Sequence, residues 1–274
     1  MRPLLVVGLL ICAGCGEVTP PLQPTATAPR TFTVSGSVVD TAHRYVSGAR
    51  VEVVDGPLAG TVAMSDERGR FLMPAKLPEP VNFRVTKDGF VSATRTWPTP
   101  GRPPPRGEGV DFWIELSSPG TPIDLTGTYT LTLTADSACT GLPGETRTRT
   151  YTATILPLVK PTDFRVSISG GQFFRFYSEF GIQTAGTFVR FDVYRWIDEV
   201  EPGIVEQTHE QMFLAITGIA PMSVGAEGLT AITVPFEGTL EYCPSQPDGD
   251  VYRCADSARV TCFSGNHRLT AARR

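Results

Sequence analysis

Hydrophobic and polar residues alternate along much of this chain with the two-residue period of half-buried β-strands. The clearest stretch is 128–135, where threonines on one face alternate with Tyr129, Leu131 and Leu133 on the other. A second stretch, 146–155, repeats the pattern. Beyond the signal-like first residues no stretch shows convincing helical periodicity, while glycine, proline, threonine and valine are frequent. The pattern therefore predicts an all-β protein.

The strands fall into two groups, which predict two domains. In residues 31–118, about seven short strands are separated by turn residues, a spacing typical of a β-sandwich. In residues 122–274, about eight strands joined mostly by short turns favour an up-and-down β-barrel. The expected fold is a seven-stranded β-sandwich followed by this barrel. After the two threonine-rich stretches, the barrel strands are expected near 164–168, 173–177, 187–194, 210–216, 229–242 and 267–271.

Four segments of the first domain resemble the carboxypeptidase regulatory-like domain. They occur in the family's order within residues 32–117: Ser35–Asp40, Val46–Val51, Asp66–Phe71 and Val85–Phe90. The resemblance implies a transthyretin-like sandwich, grouped with carbohydrate-binding-like folds, and only loosely a class of partner. Such a domain is an accessory to some carboxypeptidases and is not their catalytic part. The second domain is similar in architecture to a lipocalin-like barrel, without a decisive lipocalin motif.

The N-terminal residues predict an export signal. One basic residue, a short apolar stretch and small residues before Cys15 are typical of a bacterial lipoprotein signal peptide. The residues before Cys15 resemble the lipoprotein lipobox, with Cys12 at the leucine-like place. We predict that residues 1–14 are removed, that Cys15 carries lipid, and that 15–30, rich in proline and threonine, form a tether. The alternative is an ordinary secretory peptide that leaves Cys15 as a thiol.

These features predict an exported protein whose lipid anchors it to a membrane of the bacterial cell envelope. Gly16, directly after the lipidated cysteine, favours the outer membrane over the inner membrane. The net charge is −4 and no basic patch stands out, so nucleic acid is not an expected partner.

Four of the six cysteines follow the predicted lipidation site, and an even number in an exported protein indicates two disulfides. Three connectivities are possible for four cysteines. In a closed antiparallel barrel the first strand pairs with the last, which places Cys139 near Cys262 and leaves Cys243 and Cys254 to join each other. A zinc site is the weaker alternative, because these four cysteines form no C-x-x-C pair, and no metal is expected.

Six barrel residues are candidates for ligand binding. Alternation places Arg147 and Arg149 on the inward face, where two guanidinium groups could hold an anionic group. Alternatively, their heads lie in water at the barrel mouth or pair with an internal carboxylate. The aromatic residues within 173–196 favour an apolar cavity, a platform for a sugar ring, or plain core packing. The six candidates are Arg147, Arg149, Tyr151, Phe174, Phe176 and Trp196.

No catalytic motif accompanies these candidates. His43, His209 and His267 stand in no recognisable motif, and neither G-x-S-x-G nor H-E-x-x-H occurs. We therefore expect a non-catalytic binding protein without a cofactor, whose partner is envelope carbohydrate or a small apolar ligand. The alternative is a structural lipoprotein that contacts other envelope proteins and has no small-molecule ligand.

Overall fold

The computed structural model describes residues 31–98, 109–195, 198–225, 229–244, 252–254 and 257–274. Apart from one 3₁₀ turn at Gly144–Thr146, the described elements are β-strands. The all-β prediction is confirmed, with sandwich-like sheets followed by an eight-stranded closed antiparallel barrel. No helix in the described part of the chain is long and apolar enough to cross a membrane. The predicted signal peptide, Cys15 and the tether lie outside the described residues.

The first domain is a sandwich of two sheets. Its strands are β1 (Thr31–Asp40), β2 (Arg50–Val53), β3 (Val62–Met64), β4 (Arg70–Leu72), β5 (Leu77–Pro78), β6 (Val81–Thr86), β7 (Ala93–Trp97) and β8 (Gly109–Leu116). In one sheet β1 pairs with β4, β5 and β8, and the pairing with β8 is parallel. The other sheet has the order β3-β2-β6-β7. The sandwich has one strand more than predicted because a short strand, β5, pairs with the start of β1.

Alternation along the strands builds the sandwich core. Phe32, Val34 and Val38 of β1 point between the sheets, where they meet residues such as Phe83 of β6 and Leu116 of β8. The intervening residues of β1 are only partly buried, as the two-residue period requires. The side chains of Thr33, Ser35 and Ser37 therefore lie on the outer face of this sheet, away from the sandwich core.

Ten strands make up the second domain: β9 (Gly127–Thr134), β10 (Thr148–Pro157), β11 (Asp163–Ser169), β12 (Gln172–Ala185), β13 (Phe188–Arg195), β14 (Asp198–Pro202), β15 (Ile204–His209), β16 (Met212–Ser223), β17 (Ala231–Cys243) and β18 (Val260–Arg273). Eight of them close the barrel in the order β9-β10-β11-β12-β13-β16-β17-β18, and β18 pairs with β9. The pair β14–β15 is an insertion, in which β15 lies between the first half of β12 and β16.

Large side chains fill the barrel interior. Tyr129, Leu131 and Leu133 point inward, as the threonine alternation predicts, and each is at most 2% exposed. Tyr151, Phe180, Phe191 and Phe236 pack with them in the same core. Small barrels are usually filled in this way, and these side chains form one packed core inside the barrel.

Two disulfides join the four cysteines that follow the predicted tether. Cys139 is bonded to Cys262, and Cys243 is bonded to Cys254, with Cα atoms 5.8 Å apart in each pair. This is the pairing that barrel closure predicts. The first bond links the loop after β9 to β18 across the closing seam, and the second lies on the outer side of the barrel wall.

Candidate functional site

Arg149, a predicted ligand-binding residue, pairs with a carboxylate of the protein itself. Its Nε donates a hydrogen bond of 2.7 Å to Glu206 Oε2, and its Nη2 donates to the other oxygen. The hydroxyl of Tyr151 also donates to Glu206 Oε2, at 2.9 Å. Glu206 is 2% exposed. This is the internal-carboxylate alternative, and it accounts for the hydrogen-bonding capacity that an anionic ligand would need.

The electrostatics of this group follow from its burial and pairing. The hydrogen bond to Glu206 raises the pKa of the Arg149 guanidinium above its ordinary value. Burial, reinforced by the charge of Glu206, raises the pKa of the Tyr151 hydroxyl. Arg149 thus stays charged and Tyr151 stays protonated, so both continue to donate to the carboxylate.

Arg147 lies apart from this group, although it is only two residues before Arg149. Its Nε donates to the carbonyl of Leu142 at 2.9 Å, and its Nη2 donates to the carbonyl of Thr140 at 2.7 Å. Arg147 therefore fixes the loop after β9, and the two arginines do not form a common site.

The aromatic candidates are also dispersed. Phe174 packs against Tyr177 and Phe213, with ring centroids 5.7 and 5.9 Å away, in a small cluster on the outer side of the barrel wall. Phe176 is 75% exposed. A bulge in β12, where Arg175 has a φ of 44°, separates the two. Trp196 lies outside the described residues. The six predicted residues do not converge on one pocket.

A cleft that the sequence did not reveal lies between the sandwich and the barrel. Two adjoining hollows of about 280 and 220 Å³ share His43, Asp192 and Tyr194. The sandwich side contributes His43, Tyr45 and Trp113, and the barrel side contributes residues of β12 and β13. We call this space the interdomain cleft. Its further barrel residues are Asp163, Gly181, Gln183, Arg190 and Arg195.

The sandwich wall of the interdomain cleft is aromatic. Tyr45 is 57% exposed and Trp113 is 51% exposed. The rings of His43 and Trp113 meet edge to face, with centroids 6.2 Å apart. Large aromatic residues exposed beside one another are unusual on a solvent-facing surface and are common in recognition sites.

The carboxylate of Asp40 shapes the loop that carries His43 and Tyr45. Asp40 is 1% exposed, and its Oδ1 accepts hydrogen bonds from the backbone N–H groups of Ala42 and Arg44 at 2.9 and 3.0 Å. His43 takes a φ of 59°, in the left-handed region that histidine adopts more often than most residues. The two hydrogen bonds to Asp40 stabilise the turn that carries His43 and Tyr45.

Three contacts flank the interdomain cleft and set the positions of its walls. The hydroxyl of Thr41 donates to the carbonyl of Thr184 at 2.6 Å. The guanidinium carbon of Arg44 lies 3.9 Å from the centroid of the Phe188 ring, a cation–π contact. On another side, Lys160 donates to Glu115 at 2.6 Å. Together these contacts connect the sandwich to β12, β13 and the turn after β10.

The barrel wall of the interdomain cleft is polar. Gln183 and Arg190 are opposite each other on β12 and β13. Gln183 Oε1 and Arg190 Nε lie beneath the surface, and neither has a hydrogen-bond partner among the described residues. The Arg190 guanidinium pairs with Asp192 at 3.3 Å through its Nη2. The cleft surface of this wall is formed by the remaining polar groups of these side chains.

Sequence reasoning missed the interdomain cleft because its walls come from distant parts of the chain. The alternation within β8 could have marked Trp113, because it occupies an outward position next to inward Ile114. Nothing in the sequence indicates that the turn after β1 faces β13. Among the described residues, no group of three or more His, Cys, Asp or Glu side chains is placed to hold a metal ion.

Part of the first domain is similar to a known protein family. No curated protein matches the chain. Among solved structures, a streptococcal ancillary pilin aligns over 73% of this chain and 60% of its own, with 11% identity and a TM-score of 0.21. The family comparison supports the resemblance seen in the four sequence segments: residues 33–105 match the carboxypeptidase regulatory-like domain.

Proposed function

We propose that this protein is a non-catalytic binding protein of the bacterial cell envelope, anchored by lipid on Cys15, that recognises its partner on its outer surface. The observation that carries the proposal is the contrast between the packed barrel interior and the open interdomain cleft. Side chains suited to recognition, Tyr45 and Trp113 above all, line the cleft and are half exposed there. An apolar ligand inside the barrel is not part of the proposal.

The arrangement of the ionisable groups supports a role without catalysis. Of the histidines, His43 lies in the interdomain cleft, His267 is buried in the barrel and His209 ends β15. Two carboxylates, Asp163 and Asp192, share the interdomain cleft with His43. Asp163 is ion-paired with Lys160 and Asp192 with Arg190. A general acid–base mechanism needs a titrating pair within hydrogen-bond reach of one bond, and here both carboxylates are engaged by cations.

The proposal is tested by cosedimentation of the exported, oxidised chain with the insoluble envelope fraction of its own bacterium. We expect Trp113→Ala to reduce retention strongly, because this half-exposed ring is removed without disturbing a core. The same fraction, incubated with the protein, should release no soluble fragments. Equal retention of the wild type and Trp113→Ala, or steady release of fragments, would contradict the proposal.

A second candidate function is contact with another envelope protein through Phe176. This residue protrudes at the bulge of β12 and is 75% exposed, away from the residues that line the interdomain cleft. In the same cosedimentation experiment, loss of retention in Phe176→Ser with full retention in Trp113→Ala would favour this candidate over the first.

A further inference from the structure

We propose that the interdomain cleft binds a neutral saccharide, one sugar ring of which stacks on the sandwich wall while its hydroxyls bond to the barrel wall. This inference rests on the proposed binding function and names the chemical class of the ligand. It is carried by the juxtaposition of Trp113 and Tyr45 with Arg190 and Asp192 in one hollow of the interdomain cleft. Gln183 lines the adjoining hollow.

The aromatic wall fits the apolar face of a sugar ring. Trp113 is half exposed, and the His43 ring contacts it edge to face, so the sandwich side offers a broad surface of ring carbons. Aromatic faces attract the slightly positive C–H groups of a pyranose as they attract ring edges. A fully apolar ligand would use this wall but would leave the polar wall opposite it unpaired.

The polar groups of the barrel wall identify the functional group required. Arg190 and Asp192 line the hollow that contains Trp113, and Gln183 lines the adjoining hollow. A hydroxyl group is donor and acceptor at once, so the hydroxyls of a sugar can pair with guanidinium, carboxylate and amide groups alike. Glycine at position 181 adds no side chain to the same wall and leaves room for the ligand.

The charges of the interdomain cleft favour a neutral ligand over an anionic one. Arg190 pairs with Asp192, and Arg195 pairs with Glu201. Lys160, at the flank, pairs with Glu115. Since each of these cations has a carboxylate partner, an anionic sugar would meet as much repulsion as attraction. The larger hollow, about 280 Å³, is close to the lower end of ligand sites, which suits one or two rings.

The test uses the exported, oxidised chain and four neutral trisaccharides: cellotriose, maltotriose, mannotriose and triacetylchitotriose. Trigalacturonate serves as the anionic comparison. Binding is measured by calorimetry and by saturation-transfer difference NMR. We expect at least one neutral trisaccharide to bind at millimolar concentration or below, with saturation strongest on the protons of one ring face, and trigalacturonate to bind more weakly.

Two cleft variants and one control complete the test. Trp113→Ala should weaken binding about tenfold through loss of stacking, and Gln183→Leu should weaken it through loss of the amide that lines the adjoining hollow. Phe263→Ala, which removes a ring that is 68% exposed and lies outside the interdomain cleft, should leave affinity unchanged. The proposal is overturned if no neutral probe binds, if trigalacturonate binds best, or if Trp113→Ala binds as the wild type does. In those cases, retention on the envelope fraction that depends on Trp113 would still support the proposed function with a different ligand.

Discussion

At the scale of single residues, the buried contact between Arg149, Tyr151 and Glu206 gives a testable stability effect. Replacing Glu206 with leucine leaves a cation and a hydroxyl unpaired at the edge of the barrel core. We expect Glu206→Leu to lower the free energy of unfolding by about 3 kcal/mol, the lower end for buried pairs, since the Arg149 side chain is 28% exposed. Urea unfolding measures this change.

The matched control removes both charges. In the double variant Arg149→Met with Glu206→Leu, no buried charge is left unpaired, and we expect part of the lost stability to return. A double variant less stable than Glu206→Leu alone would show that Arg149 stabilises the barrel by packing and not through its charge.

His267 provides a pH-dependent contribution at the same scale. It is 1% exposed, its Nδ1 accepts from the backbone N–H of Asp136 at 2.9 Å, and burial lowers its pKa from the ordinary 6.5. The unfolded chain therefore binds a proton near pH 6.5 that the folded chain binds only at lower pH. Stability should fall as the pH decreases through this window.

We expect the wild type to lose more stability between about pH 7.5 and 5.5 than His267→Gln, whose side chain does not titrate. Chemical unfolding at several pH values gives the comparison. Asp136 also has a lowered pKa, chiefly through the N–H of Ala138, but its effect begins below the ordinary aspartate value of 3.8 and stays outside the window. Parallel pH profiles of the two proteins would rule out this role for His267.

Single residues were predicted well where alternation alone decides their direction. Tyr129, Leu131 and Leu133 point inward as expected. Arg149 also points to its predicted side, but its partner Glu206 belongs to a stretch for which no strand was predicted. Alternation assigns a face to a residue, yet it does not identify the residue opposite, because that depends on how distant strands pair.

At the scale of elements, two glycines allow the barrel wall to bend. Gly218 of β16 and Gly238 of β17 pair directly, beside the irregularity between Phe236 and Gly238 in the pairing of β17 with β18. A Cβ atom on Gly238 would collide with the carbonyl oxygen of Thr217 and would lie 2.8 Å from the Cα atom of Gly218. The two backbones approach this closely only because neither residue has a side chain.

Gly238→Ala should therefore destabilise the barrel by about 3 kcal/mol, the upper end for overpacking, because the obstructing atoms belong to the backbone. Gly265→Ala is the matched control: an added Cβ there has no neighbour within 4 Å, so stability should be nearly unchanged. Thermal unfolding followed by near-ultraviolet circular dichroism compares the two variants. Similar midpoints would mean that the wall adjusts to the extra methyl group.

Element prediction succeeded for the number of barrel strands and failed for their lengths. A strand was expected near 173–177, whereas β12 extends to Ala185. The bulge in β12 interrupts alternation there, so the pattern before Ser178 is not continued after it. The inserted strands β14 and β15 were missed for a different reason: both are short, and the charged residues of β14 resemble a turn in sequence.

At the scale of the whole molecule, the contact between Arg44 and Phe188 should limit movement of the two domains. We expect Phe188→Leu to remove the cation–π contact, leave the ion pair of Arg44 with Asp40 intact, and speed amide hydrogen exchange in residues 41–45 several-fold. Phe176→Leu makes the same substitution at an exposed position and should leave exchange unchanged. Equal exchange rates in the two variants would show that the loop is rigid by itself.

The interdomain cleft could not be predicted from the sequence, because it depends on how the two domains are placed against each other. Its residues come from the turn after β1, from β8 and from the outer face of β12 and β13, and each segment is unremarkable in sequence. The two groups of strands were recognisable because alternation and turn residues mark the strands of each group in the sequence. Their relative position depends on a few side-chain contacts, such as that of Thr41 with Thr184, which carry no sequence pattern.

The Cys139–Cys262 bond has a consequence for maturation if the chain is exported, as proposed. Of the four cysteines that form disulfides, a chain that enters an oxidising compartment from its N-terminus presents Cys139 first, then Cys243 and Cys254, and Cys262 last. An oxidant that joins cysteines in order of arrival would couple Cys139 to Cys243. The native bonds are nested, with the Cys243–Cys254 pair inside the longer one. Correct maturation thus requires Cys139 to wait for β18, or an isomerase to correct an early crosslink.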